Sequence, residues 1–103
     1  MNLTITSNTE NALRLVAVHG EVDVSNAGEL RAGVDAALDA KPGKLEVDLS
    51  DVAYIDSTGI GVLVGASHRA DDAGIGFEVT NPQPNVRRVL GLLGLEKELK
   101  ISE

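Results

Sequence analysis

The chain has 103 residues, a length that predicts a single domain over residues 1–103 with one hydrophobic core. Asp and Glu number 16 against 9 Lys and Arg, and the net charge of -7 argues against a nucleic-acid or anionic-membrane partner. The absence of cysteine excludes thiolate chemistry, and without a signal pattern or a membrane-length apolar run we expect a cytoplasmic protein.

Apolar and polar residues alternate near the start of the chain, which predicts two strands that pair as a hairpin. The first strand covers residues 3–7, a turn covers 8–11, and the second strand runs from residue 13 to about residue 21. Ser25 or Asn26 is then the predicted N-cap of an amphipathic helix of about 13 residues.

The second half of the chain alternates strands with helices. A third strand runs to Ile55 with an irregular stretch at Ser50–Asp51, and a helix follows from near Thr58. The remaining predicted elements are a strand around 75–79, a helix from about 84 to 93, and a short helix or turn at 95–100. This order predicts an α/β fold with a largely parallel sheet and an antiparallel edge.

The junction between the third strand and its helix reads YIDSTGIG and concentrates small polar groups. Asp56 or Ser57 suits the N-cap of the helix, and this role alone would account for the hydroxyl. A second role stays open because the carboxyl edge of a parallel sheet commonly binds ligands, and a helix N-terminus tolerates negative charge.

Catalysis by Ser57 is disfavoured because a nucleophilic serine needs a base within hydrogen-bond reach. His68 lies about three turns along the predicted helix and His19 near a strand end, and residue 55 is Ile where a hydrolase motif has Gly. We therefore predict no catalytic residue.

Metal and nucleotide sites are also disfavoured. Asp48, Asp51 and Asp56 lack the histidine spacing or calcium-loop pattern of a metal site, and no strand of the initial pair carries the acidic cluster of a phospho-aspartate receiver. The glycines match no phosphate-binding loop, so we expect no metal or cofactor. Gly61 and Gly65 share one helix face, which suits close packing or a flat surface for a partner.

The segment VDLSDVAYIDSTGIGVLVGA resembles the signature of STAS domains, in particular bacterial anti-sigma factor antagonists. Gly20–Asp23, Asn81–Pro82, Val86–Leu90 and Gly94–Leu95 resemble further family segments in the same order. The resemblance covers residues from about 12 to 100. It implies a STAS fold with a four- to five-stranded mixed sheet, an N-terminal hairpin and about four helices.

The resemblance implies a binding module that is not an enzyme. In that family the unphosphorylated antagonist binds an anti-sigma factor, itself an ATP-using serine kinase, and the sigma factor is released. The kinase then phosphorylates the serine after the aspartate, which is Ser57 here, and binding is lost. A PP2C-type phosphatase removes the phosphate.

Loop 23–26 should lie beside Ser57, since both loops follow strands at one edge of the sheet. Val24–Asn26 depart from the family pattern, which commonly has a small residue and a threonine there. The alternative reading is a non-switching STAS subunit of a transport or stress-signalling assembly, and the retained Ser57 favours the switch. The predicted partner-binding residues are Asp23, Ser25, Asn26, Asp56, Ser57, Thr58, Gly59, Gly61, Val62 and Gly65.

Overall fold

The computed structural model describes residues 3–10 and 12–101. Its strands are β1 (Leu3–Glu10), β2 (Leu13–Val22), β3 (Lys44–Ile55) and β4 (Gly76–Thr80), and its helices are α1 (Ala27–Asp39), α2 (Ser57–Asp72) and α3 (Pro84–Leu92). The sheet order is β1-β2-β3-β4, with β1 antiparallel to β2 and the other pairs parallel. The predicted α/β fold with an antiparallel edge is confirmed.

Helices α1 and α2 pack against each other and against the sheet, which gives the molecule its core. The apolar spacing of α1 places Leu30 and Val34 on its buried face, and that of α2 does the same for Leu63. They meet the alternating residues Val47 and Leu49 of β3. None of the helices within residues 3–10 and 12–101 is long and apolar enough to cross a membrane.

The hairpin is longer than predicted. Strand β1 continues to Glu10, which pairs with Leu13, so the predicted turn at residues 8–11 begins too early. Asn11 lies outside the described residues. Strand β2 likewise continues to Val22, where its last residue is fully buried.

The irregular stretch predicted at Ser50–Asp51 lies inside a continuous β3. Between the pairs Ala17↔Asp48 and His19↔Asp51 the register shifts by one residue, which is a β-bulge. The bulge accommodates one extra residue of β3. The alternation of apolar and polar residues is therefore interrupted there while the strand continues.

The short helix or turn predicted at residues 95–100 takes the form of turns. Because residues 96–100 are turns, residues 3–10 and 12–101 have three helices, close to the expected number of about four. In α3, Val86 and Leu90 enter the core, while Val89 and the C-cap residue Leu93 are exposed. A nine-residue helix that packs mainly on β3 can bury only one narrow face.

Candidate functional site

The ends of β2 and β3 place two loops side by side at one edge of the sheet. Val22 pairs with Ile55, and the backbone N–H of Asp56 donates to the carbonyl oxygen of Val22 at 3.0 Å. The loop of residues 23–26 and the first turn of α2 therefore start from neighbouring strand ends.

Asp56 is the N-cap of α2. Its backbone is extended, and its carboxylate oxygen Oδ1 accepts a hydrogen bond from the backbone N–H of Gly59 at 3.0 Å. Ser57 is the first residue of the helix and is exposed. Across residues 3–10 and 12–101 its hydroxyl has no hydrogen-bond partner. Of the two predicted caps, Asp56 is therefore the N-cap and Ser57 is not.

Gly59 holds the helix start close to the strand ends. A Cβ atom there would lie 2.6 Å from Cγ1 of Val22 and 2.8 Å from Cγ1 of Ile55, both in the core. Gly59 is thus buried beneath the site. Gly61 differs, because a Cβ atom there would meet nothing within 4 Å, and the residue is exposed.

Asn26 organises the loop between β2 and α1 from within. Its side-chain oxygen accepts from the N–H of Asp23 at 2.9 Å, and its amide nitrogen donates to the carbonyl oxygen of Glu21 at 2.8 Å. It occupies the N-cap position of α1 but makes no side-chain capping bond, and it is 3% exposed. Asn26 therefore shapes the loop rather than presenting its amide at the surface.

The carboxylate of Asp23 is held in its charged form. The Ser25 hydroxyl and, at 2.9 Å, the Ser25 backbone N–H both donate to Oδ1 of Asp23. These two bonds, the hydroxyl bond first, lower the pKa of Asp23 below its ordinary value of 3.8. Asp23 therefore presents a negative charge beside the start of α2 at neutral pH.

The predicted site residues divide by exposure. Four are exposed and four half-buried, while Asn26 and Gly59 lie beneath the surface. The exposed ones are Ser25, Ser57, Thr58 and Gly61, and the half-buried ones are Asp23, Asp56, Val62 and Gly65.

Three residues of this edge were missed by sequence reasoning. Val24 is 75% exposed in the loop between β2 and α1. Arg31 and Arg69 line a groove of about 290 Å³ next to Thr58. The Arg31–Asp35 spacing on one helix was visible in the sequence, but the arrival of Arg69 depends on helix packing.

The two histidines are engaged elsewhere. Nδ1 of His19 lies 2.9 Å from Oδ2 of Asp51, and His68 pairs with Glu98. In the part of the chain that the structure describes, neither histidine forms a hydrogen bond with Ser57. Residues 3–10 and 12–101 also contain no group of three His, Asp or Glu side chains placed to hold a metal ion.

Comparison with known proteins supports the family resemblance. A model of the STAS domain family matches residues 3–103. The anti-sigma-B factor antagonist of Bacillus subtilis is 32% identical over 103 residues, which cover 99% of this chain and 93% of that protein. The anti-sigma-F factor antagonist RsfB of Mycobacterium tuberculosis is 26% identical over 100 residues, covering 97% and 81% respectively.

A solved structure agrees in fold and sequence. The crystal structure of an anti-sigma factor antagonist from Mycobacterium paratuberculosis has a TM-score of 0.89 to this chain at 28% identity. The match covers 97% of this chain and 85% of that one. The chain belongs to the STAS domain family, and within it to the anti-sigma factor antagonists. The predicted family and fold are confirmed.

Proposed function

We propose that this chain is a phosphorylation-controlled antagonist of an anti-sigma factor. Its unphosphorylated form binds an anti-sigma factor that is an ATP-using serine kinase, and the bound sigma factor is released. Phosphorylation of Ser57 by that kinase ends the interaction, and a PP2C-type phosphatase restores it. The switch operates in the cytoplasm and uses no cofactor of its own.

The observation that carries this proposal is the Ser57 hydroxyl. Asp56 caps α2, so the fold does not need the hydroxyl for its own stability. Ser57 is exposed at the helix start, where a kinase can reach it. A serine that is exposed and unused by the fold at this position supports a role as phosphate acceptor.

The charges around Ser57 explain how phosphate can switch binding without unfolding the domain. A phosphoserine adds about -1.5 to -2 charges at neutral pH. The positive end of the α2 dipole offsets part of that charge in the free protein. In a fitted interface, the phosphate lies beside the carboxylates of Asp56 and Asp23 and brings repulsion and desolvation cost.

The experiment is phosphorylation in vitro. The purified chain is incubated with ATP and the anti-sigma factor kinase from the same genome, and its intact mass is measured. We expect a gain of one phosphate in the wild-type chain and none in Ser57→Ala. Thr58→Ala is the matched control and should still gain the phosphate; a mass gain retained by Ser57→Ala would place the acceptor elsewhere.

Binding by the same kinase gives the second readout. Ser57→Ala should bind as the wild type does, whereas Ser57→Asp should lose affinity by a factor on the order of a hundred. Tight binding of Ser57→Asp would contradict the switch and favour a non-switching STAS subunit.

A further inference from the structure

The groove between α1 and α2 carries positive charge next to the phosphate acceptor. It has a volume of about 290 Å³, and its lining is Arg31, Thr58, Gly61, Val62, Gly65 and Arg69. None of these residues is acidic, in a chain whose net charge is -7. The groove adjoins Ser57 through Thr58, the next residue.

The two arginines belong to different helices and share one carboxylate. Arg69 of α2 hydrogen-bonds Asp35 of α1, and Nε of Arg31 lies 3.8 Å from the other oxygen of Asp35. The three side chains stay between about two-fifths and two-thirds exposed. Two guanidinium groups against one carboxylate leave one net positive charge.

Both arginines also line a larger cavity of about 750 Å³ on the far side of this cluster. Asp35, Asp39 and Lys41 also line that cavity, whereas the groove beside Thr58 has the two arginines and no acidic residue in its lining. Of these two cavities, only the groove beside Thr58 offers the arginines without a carboxylate in the lining. The groove floor is open there, since a Cβ atom at Gly61 would meet nothing within 4 Å.

We propose that this groove binds an acidic segment of the anti-sigma partner, whose carboxylates pair with Arg31 and Arg69. The proposal rests on the proposed function and extends the partner surface from Ser57 along α2. Guanidinium groups suit such an occupant because their planar donors match carboxylates in two-point contacts. The contact helps the partner to distinguish this antagonist from others whose groove has another charge.

The test measures the dissociation constant for the purified anti-sigma kinase at low and high salt. Arg31→Gln and Arg69→Gln should each weaken binding by about threefold to fivefold at low salt, and less at high salt. Arg88→Gln, an exposed arginine of α3, is the matched control and should bind as the wild type.

Asp35→Asn distinguishes partner binding by Arg31 and Arg69 from a purely structural role of these side chains between α1 and α2. It removes the internal competitor of both arginines, so binding should tighten by about threefold although the α1–α2 contact is weakened. If the cluster were only structural, Asp35→Asn and Arg69→Gln would change affinity in the same direction. That result overturns the proposal, as does wild-type affinity in both arginine variants or in Asp35→Asn.

Ser57→Asp in the same assay shows whether a negative result overturns only the groove proposal or also the proposed function. If Ser57→Asp loses binding while the arginine variants bind normally, the groove proposal alone is wrong. If Ser57→Asp binds as the wild type, the switch itself is wrong. A wild-type chain that does not bind the kinase overturns both.

Discussion

Gly59 and Gly61 lie two residues apart in α2, but Gly59 is closely packed and Gly61 faces open space. Gly59→Ala would press a methyl group against Val22 and Ile55, so we expect a loss of about 1–3 kcal/mol in the free energy of unfolding. Gly61→Ala meets open space and should gain about 0.5–1 kcal/mol from helix propensity. Urea denaturation measures both, and an equal loss in the two variants would contradict this packing.

The two glycine variants should also differ in their affinity for the partner. Under the proposed function, Gly61→Ala puts a methyl group on the partner-facing surface and should weaken binding despite its higher stability. Gly59→Ala, whose methyl group lies beneath the surface, should change affinity only through its effect on folding.

The hydrogen bonds from Ser25 lower the pKa of Asp23. Ser25→Ala removes the hydroxyl donor, so the pKa of Asp23 should rise toward its ordinary value. Ser25→Thr keeps a hydroxyl and should keep the pKa low. Carboxyl chemical shifts of Asp23 followed by NMR across acidic pH measure this directly; an unchanged pKa in Ser25→Ala would show that the hydroxyl bond is not the main cause.

The sign of the accompanying stability change follows from the lowered pKa. The wild-type Asp23 contributes stability above its unfolded pKa, and this contribution is lost as the pH falls through the folded pKa. Ser25→Ala lacks most of the contribution. Its stability should therefore fall less steeply than that of the wild type over the same acidic range.

At the scale of the element, the start of α2 depends on its cap. Asp56→Ala removes the acceptor for the N–H of Gly59 and should lower the free energy of unfolding by about 1 kcal/mol. Ser57→Ala should stay within about 0.5 kcal/mol of the wild type, because its hydroxyl caps nothing. Thermal unfolding of the two variants tests whether Asp56 is the cap. A larger loss of stability in Ser57→Ala than in Asp56→Ala would assign the cap to Ser57 instead.

The sequence predicted the order of strands and helices because each element carries a clear apolar period. Val47 and Leu49 mark β3 by alternation, and Leu30 and Val34 mark α1 by helical spacing. Boundaries were harder to predict. Asp56 and Ser57 are both good caps, and only the geometry of the chain leaving β3 aims the Asp56 carboxylate at Gly59.

The C-terminal segment shows why the local sequence pattern left a helix and a turn both open. Residues 95–100 have helix-forming side chains, but positive φ angles at Gly94 and Lys100 bound them. Fewer than two helical turns remain, too few to propagate a helix. Their fold is instead fixed by Leu99, which is fully buried in the core.

The candidate site was predictable where neighbouring strand ends bring loops together, as for Asp23 and Ser57. It was not predictable where tertiary packing sets a side chain's direction. Asn26 has the composition of a surface cap, yet its amide turns inward to Glu21 and Asp23. Arg69 reaches Asp35 only because α2 packs on α1.

At the scale of the whole molecule, phosphorylation should change the surface and leave the fold in place. Ser57 is exposed, outside the core and next to the positive end of α2, so the phosphorylated chain should unfold within a few degrees of the unmodified one. Amide chemical shifts should change in loop 23–26 and the first turns of α2. Strand β4 should keep its shifts, because its last residue Thr80 pairs with Asp48, well before the end of β3 at Ile55.

The control for this last prediction is Ser57→Asp, which should perturb the same amides less because it carries a smaller charge and fewer acceptor oxygens. A structural switch would look different. Shift changes across the whole sheet, or a large drop in the unfolding temperature, would mean that phosphate acts by remodelling the domain. Local changes combined with lost binding would instead place the effect in the interface, as the proposed repulsion between the phosphate and the carboxylates of Asp23 and Asp56 predicts.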